Sequence, residues 1–214
     1  MMSEEQTTTE QVRVLEKNVI SYEPVFPTIT ARVLLDLPTE DIVEDALAFV
    51  DNEQNCSGGF SSLYTNRSID SLRGVKEIKE AIYGVSCAIA REMKYEVNYD
   101  KSSIHVWLEV MRRDNSHDTR THPRGLFAGQ LIVRTEEDYS PIALVNPTVN
   151  YRNHEPAIRE EDLGPFTAAA LLIAPDVNVL NVWPSWMQYK IPPMTAPGPR
   201  IAFGFNIDFL PPGA

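Results

Sequence analysis

The chain has 214 residues, a net charge of −11, 43% hydrophobic residues and 23% charged ones, which supports one folded domain with a substantial core and excludes wholesale disorder. The acidic balance, with no run of Lys or Arg to override it, argues against nucleic acid as a direct partner and for a protein one. No stretch of about 18 apolar residues signals a membrane span, and the polar N-terminus lacks a basic leader, so a cytoplasmic setting is expected rather than secretion or membrane insertion.

Residues 1–18 ("MMSEEQTTTEQ" onward) carry too little apolar content to bury and read as a flexible arm, either a frayed tail or a segment that orders only on a partner; residues 19–214 read as a single domain. "ARVLLDLP", residues 31–38, predicts a short strand closed by proline. Thr39 then stands where an N-cap belongs, Glu40 and Asp41 load the first turn, and Ile42, Val43, Ala46, Leu47 and Val50 follow at helical spacing. After a loop rich in Gly, Ser and Asn, a second helical stripe carries Leu72, Val75, Ile78, Ile82, Val85, Ile89 and Met93. These segments give a helical support over residues 39–95. Cys56 and Cys87 match no metal-ligand spacing and read as reduced thiols.

From residue 102 to 210 the pattern turns to strands. "IHVWLEV" alternates, "LFAGQLIV" and "PIALVN" are short apolar runs, and "FTAAALLIAP", "NVLNVWPSW" and "RIAFGFNIDF" complete at least six strands punctuated by Pro, Gly, Asn and Asp. "RRDNSHDT" between them is composed like a loop. Helices first and an antiparallel sheet after define an α+β plan: a sandwich or jelly roll with the N-terminal helices packed on one face.

Three stretches keep an order and spacing that point further: "WLEVMRRDNSHDTRTHPRGLFAGQLIV", "VWPSWMQYKIPP" and "RIAFGFN". They resemble the iron(II)- and 2-oxoglutarate-dependent oxygenases of the group common in bacteriophages and some bacteria, whose pattern runs His-x-His-Pro, then Phe-Pro-Ser-Trp-Leu-x-His, then Arg-x-x-x-x-Phe-Asn. The resemblance implies a double-stranded β-helix, a cupin-like jelly roll. It also implies Fe(II) held by three side chains and 2-oxoglutarate anchored by an arginine suited to bidentate carboxylate binding. The anchor position is Arg200. The three metal positions fall on Arg120, His122 and Tyr189, so His122 is the one ordinary ligand left. A guanidinium has no lone pair to give, and a phenol with a pKa of about 10 suits Fe(III) better than Fe(II).

One rescue is drawn on the residues: on an unbroken strand Asp118, Arg120 and His122 share a face, so Asp118 with His122 and Tyr189 would make a displaced site. Against it, Asp118 beside Arg120 is more simply an ion pair. Each of these positions also has a plain structural reading. His122 is then a hydrogen-bonded remnant, and Arg200 is tied to an internal carboxylate such as Asp118. Trp107, Trp183 and Trp186 pack core and rim, His105 is a strand residue and His154 a loop residue. Tyr189 becomes a filler of the former metal pocket, its ring in the barrel mouth and its hydroxyl on His122.

Two functional classes remain open. One is a catalytically inactive oxygenase-like jelly roll, needing no cofactor and used as a binding or structural scaffold. Its partner is then another protein or copies of itself, in a homo-oligomer or a phage virion, which sets a virion location beside the cytoplasmic one. The other is a working 2-oxoglutarate-dependent dioxygenase with Fe(II), 2-oxoglutarate and unusual ligands; a weaker third is a metal-free dicarboxylate binder using Arg200. The joint change at Arg120 and Tyr189 favours the first, and with it no enzyme activity.

Overall fold

The computed structural model describes residues 28–56, 58–136, 140–148 and 168–211; the expected polar arm and His154 lie outside the described residues. Strand β1 (Ala31–Leu34) leads into helix α1 (Thr39–Val50), followed by the short β2 (Phe60–Ser61), a 3-10 turn over Ser62–Tyr64, and helix α2 (Val75–Glu92). Then come β3 (Asn98–Met111), β4 (His117–Arg120), β5 (Phe127–Arg134), β6 (Ile142–Val145), β7 (Ala170–Ile173), β8 (Val179–Pro184), β9 (Tyr189–Ile191) and β10 (Arg200–Leu210). The strands form a six-stranded sheet in the order β1-β8-β5-β10-β3-β2 and a four-stranded sheet in the order β4-β9-β6-β7. Every named pairing is antiparallel.

Strand alternation divides the core into two compartments. Along β10, Ile201, Phe203, Phe205, Ile207 and Phe209 point to the helices, and β3 sends Val106, Leu108 and Val110 the same way. There they meet Ile42, Ala46 and Val50 of α1 and Val75, Ile78, Ile82 and Ile89 of α2, each helix burying one stripe. The opposite faces contribute Met111, Ala128, Ile132, Trp183 and Ala202 to a second core, which Ile142, Leu144, Ile173, Tyr189 and Ile191 of the smaller sheet complete. Two antiparallel sheets packed face to face, with helices on the outer face of the larger, make the jelly-roll-type α+β architecture that the strand grammar predicts.

Three local expectations shift. Strand β1 ends at Leu34, since Asp36 to Pro38 lead into the helix instead of extending the ladder. Thr39 is the first residue of α1 and not its cap: its hydroxyl donates to Leu37 O at 3.1 Å and contacts Asn178 Oδ1 at 2.9 Å, so it ties the helix entry to the β7–β8 turn. The "RRDNSHDT" segment closes as strand β4 from His117 onward, because pairing with β9 outweighs its loop-like composition. Arg73, ahead of α2, contacts Asp41, Glu44 and Asp45 of α1 and holds the Asp45 carboxyl down at about 2 through its hydrogen bonds, linking the turn before α2 to the surface of α1.

Gly129 on β5 faces Phe205, and a Cβ there would fall well inside contact distance of the Phe205 ring and the Asn181 carbonyl. The obstruction includes backbone that cannot move aside. Gly129→Ala is expected to cost about 1–3 kcal/mol of stability, read as a lower urea midpoint at unchanged slope.

Candidate functional site

The end of the barrel near the β8–β9 turn gathers most of the residues singled out in the sequence. On β9, Tyr189 and Ile191 point inward while Lys190 is exposed. Across the ladder, Arg120 pairs with Tyr189 and His117 with Ile191, so β4 spends one more residue than β9 over the same interval. That bulge breaks the strand's alternation. His117 is buried, Arg120 half-buried, and Asp118 exposed on the outside. The shared face on which an Asp118, His122 and Tyr189 site depended therefore does not form at Asp118.

His122 lies just beyond β4, its backbone N–H donating to Ser185 O at 3.0 Å, which pins it against the β8–β9 turn. Its Nε2 is 3.1 Å from the Tyr189 hydroxyl, and the two rings stack at 5.5 Å with 22° between planes. Trp107 packs on the other side of His122 at 5.1 Å and Trp183 on the other side of Tyr189 at 5.3 Å. Trp107 and Trp183 are buried in this aromatic row, whereas Trp186, at the tip of the turn, is 54% exposed. His105 is exposed on the strand and rests against Trp107.

Burial drives the electrostatics. The Tyr189 hydroxyl is pushed far above its ordinary range by burial and by the nearby Glu109 carboxylate, which the guanidinium of Arg120 offsets only in part; it is a neutral phenol. Desolvation also lowers His122 and His117 below the ordinary imidazole value, helped by Arg120, so both are neutral at pH 7.

A second group, on the larger sheet, connects to the first through Trp107. Arg200 has no exposed surface, and its Nη2 donates to Gln130 Oε1 at 2.5 Å. Gln130 Nε2 donates onward to Glu109 Oε2 at 2.7 Å, while Trp107 Nε1 donates to Glu109 Oε1 at 2.9 Å. His117 Nδ1 stands 4.0 Å from Glu109 Oε1 and has no hydrogen-bond partner among the described residues. Burial alone would raise the Glu109 carboxyl. His117 in its protonated form, the indole hydrogen bond and the charges of Arg200 and Arg120 outweigh it, so its pKa sits below the ordinary value and the carboxylate stays ionised. Among the described residues the carboxylate linked to Arg200 is Glu109, through Gln130, while Asp118 is exposed.

Sequence reasoning passed over Glu109, Gln130 and His117. The signal was present: alternation in "WLEVM" sets Glu109 on the same face as Trp107, and Gln130 is the lone polar side chain in "LFAGQLIV".

Known proteins place this architecture. Residues 105–206 match the protein family described as "Putative 2OG-Fe(II) oxygenase", a stretch that runs from His105 to Asn206 and includes Arg120, His122, Tyr189 and Arg200. In fold the chain is similar to a prolyl-4-hydroxylase from Pseudomonas putida (11% identity, 87% of this chain and 94% of that one, TM-score 0.57). It is similar too to the viral collagen prolyl hydroxylase of Paramecium bursaria chlorella virus-1 (11% identity, 91% and 98%, TM-score 0.52). A third is HygX from Streptomyces hygroscopicus, solved with nickel and 2-oxoglutarate bound (7% identity, 87% and 84%, TM-score 0.53). No curated protein matches the chain in sequence. The fold is thus a 2OG-Fe(II) oxygenase-like jelly roll.

The donor set at the implied metal positions does not fit Fe(II). It offers a permanent cation at Arg120, a neutral phenol at Tyr189 and one imidazole whose Nε2 is engaged with that phenol. Among the described residues no group of three or more His, Cys, Asp or Glu is placed to hold a metal. No described helix is long and apolar enough to cross a membrane.

Two outcomes follow from the buried charges. Glu109→Ala strips the counter-charge from Arg200 and a partner from both Trp107 and Gln130, and should cost about 3–5 kcal/mol in chemical denaturation. In acid, His117 and His122 take up protons in the unfolded chain first, because their folded pKa values lie below 6.5. Stability is therefore complete above 6.5 and declines as pH falls from there towards the folded values. Glu109 adds a further loss as pH falls through its own lowered pKa. Urea midpoints across pH should show this decline, with a shallower upper limb in His117→Gln.

Proposed function

We propose that this protein is an oxygenase-like jelly roll that has given up iron and 2-oxoglutarate chemistry and serves as a binding or structural scaffold. The observation that carries the reading is the pairing of Arg120 with Tyr189 across β4 and β9, with the Tyr189 hydroxyl bonded to His122. Of the three positions implied to hold metal, His122 and Tyr189 are thus bonded to each other, and Arg120 stands opposite Tyr189 in the ladder. Fe(II) entering there would have to displace the phenol from His122 and sit beside a guanidinium, against Coulomb repulsion in a desolvated site. The cosubstrate position is closed in the same manner, since Arg200 is fully buried and already engaged by Gln130.

Fold and chemistry separate readily when the surrounding packing does not depend on the metal. Here the packing around the former site is aromatic: Trp107, His122, Tyr189 and Trp183 fill it with ring contacts. Such a barrel keeps its shape without an ion. A role in a phage particle or another assembly is the form of scaffold that the motif resemblance favours, with a protein partner or further copies of this chain as the contact.

Titration of the full chain with Mn(II) or Fe(II), by calorimetry and electron paramagnetic resonance, should give no saturable binding with or without 2-oxoglutarate. The double substitution Arg120→His and Tyr189→His should introduce it, by supplying two imidazoles beside His122. Tight binding to the unaltered protein, abolished by His122→Ala, would overturn the reading in favour of a working dioxygenase.

A further inference from the structure

The larger sheet ends in an unusual way. β2 is its last strand and pairs with β3 only at Val110 and Glu109, after which the chain leaves the ladder as the 3-10 turn at Ser62. β3 itself runs back to Asn98, with β10 along its other side. The Ser62 hydroxyl accepts the Leu108 N–H at 3.0 Å, which ends the pairing and also reports the orientation of the strand. At Leu108 the backbone points away from β10, and alternation makes it do so again at Val106 and Ile104. Their N–H and C=O groups face outward with no strand beside them among the described residues.

That edge borders a cleft of about 460 Å³, within the range of roughly 300–1,000 Å³ common for binding pockets. Ile104 and Val106 face the helices and His105 and Trp107 the opposite side, yet all four line the cleft, so its floor is the edge of the strand. The far wall is built and polar. Ser68 caps the Asp70 N–H, Asp70 holds Lys79 of α2 at 2.5 Å, and the Arg67 guanidinium lies 4.1 Å over the Phe49 ring. On a chain of net charge −11, the lining of this wall carries Arg67 and Lys79 with one carboxylate, Asp70, which Lys79 engages, while Glu53 approaches Arg67 from outside the cleft at 3.9 Å.

We propose that the outer edge of β3 at Ile104–Val106 is a strand-addition site for an extended peptide segment of a partner protein that carries a carboxylate side chain. The peptide backbone would continue the ladder where β2 leaves it, and its acidic side chain would meet Lys79 and Arg67. An exposed edge is ordinarily blunted by charge or proline; here the strand carries neither at these positions, and the cleft limits access to a narrow segment. The cleft shares Trp107 with the aromatic row at His122, but the strand edge and the Lys79 wall do not depend on the state of any metal there.

The test uses the full chain and a displayed library of random dodecapeptides, with affinities of enriched peptides measured by fluorescence anisotropy. Enriched sequences should be β-prone with alternating acidic residues, and binding should slow amide exchange at Ile104 and Val106. Val106→Pro removes an outward N–H without touching the β10 ladder, a placement edge strands tolerate, and should weaken binding about tenfold or more. Lys79→Glu, a surface change that leaves the strand intact, should also weaken it and serves if the proline variant does not fold. No enrichment, enriched peptides lacking carboxylates, or equal binding to both variants would overturn the proposal. Self-association of the peptide-free chain that Val106→Pro abolishes would overturn it too, replacing the foreign peptide with a second copy.

Discussion

A guanidinium with no exposed surface must find its counter-charge inside the protein, and among the described residues Arg200 is linked to Glu109, two hydrogen bonds away through Gln130. This relay crosses three neighbouring strands of the larger sheet, β10, β5 and β3, and fixes their inward faces relative to one another. Glu109 then spends its second oxygen on Trp107, whose ring packs on His122, whose Nε2 meets Tyr189. Ion, amide, indole, imidazole and phenol thus form one connected set from the sheet to the barrel end. A buried network of this kind is costly when broken at any member and specific when complete.

The same network accounts for the interior's chemistry. HygX, similar in fold, was solved with nickel and 2-oxoglutarate bound. In the present chain the motif positions Arg120, His122 and Tyr189 lie side by side, with the Tyr189 hydroxyl on His122 Nε2, and Arg200 is engaged by Gln130. Gly204, facing inward on β10, leaves room for the Trp107 ring where any Cβ would intrude, so the filling extends to backbone choices. Under the scaffold reading, what remains for binding lies on the outside, where β3 outruns β2.

Much of the fold was legible in the sequence, because hydrophobic periodicity and turn chemistry act locally. The two helices appeared from Ile42, Ala46 and Val50 and from Val75, Ile78 and Ile82, and the strand half from alternation around Trp107 and Phe205. The contact between His122 and Tyr189 was legible through motif spacing, since a pair that would have shared one metal must lie close in space. What escaped was set by pairing. The bulge in β4 depends on β9, so the inward turn of His117 and the outward turn of Asp118 could not be read from residues 117–120 alone. The partner of Arg200 escaped for a similar reason: Gln130 and Glu109 meet it only because β5 and β3 flank β10.

The account stands or falls on whether Arg200 belongs to the protein's own carboxylate. A double-mutant cycle between Glu109→Gln and Arg200→Met, read as unfolding free energy at neutral pH, measures that directly. The two sites should be coupled, with an interaction energy in the upper part of the range of about 0.5–3 kcal/mol seen for residues in one network. Additive losses, with no coupling, would contradict it and would return the buried guanidinium to the service of a ligand.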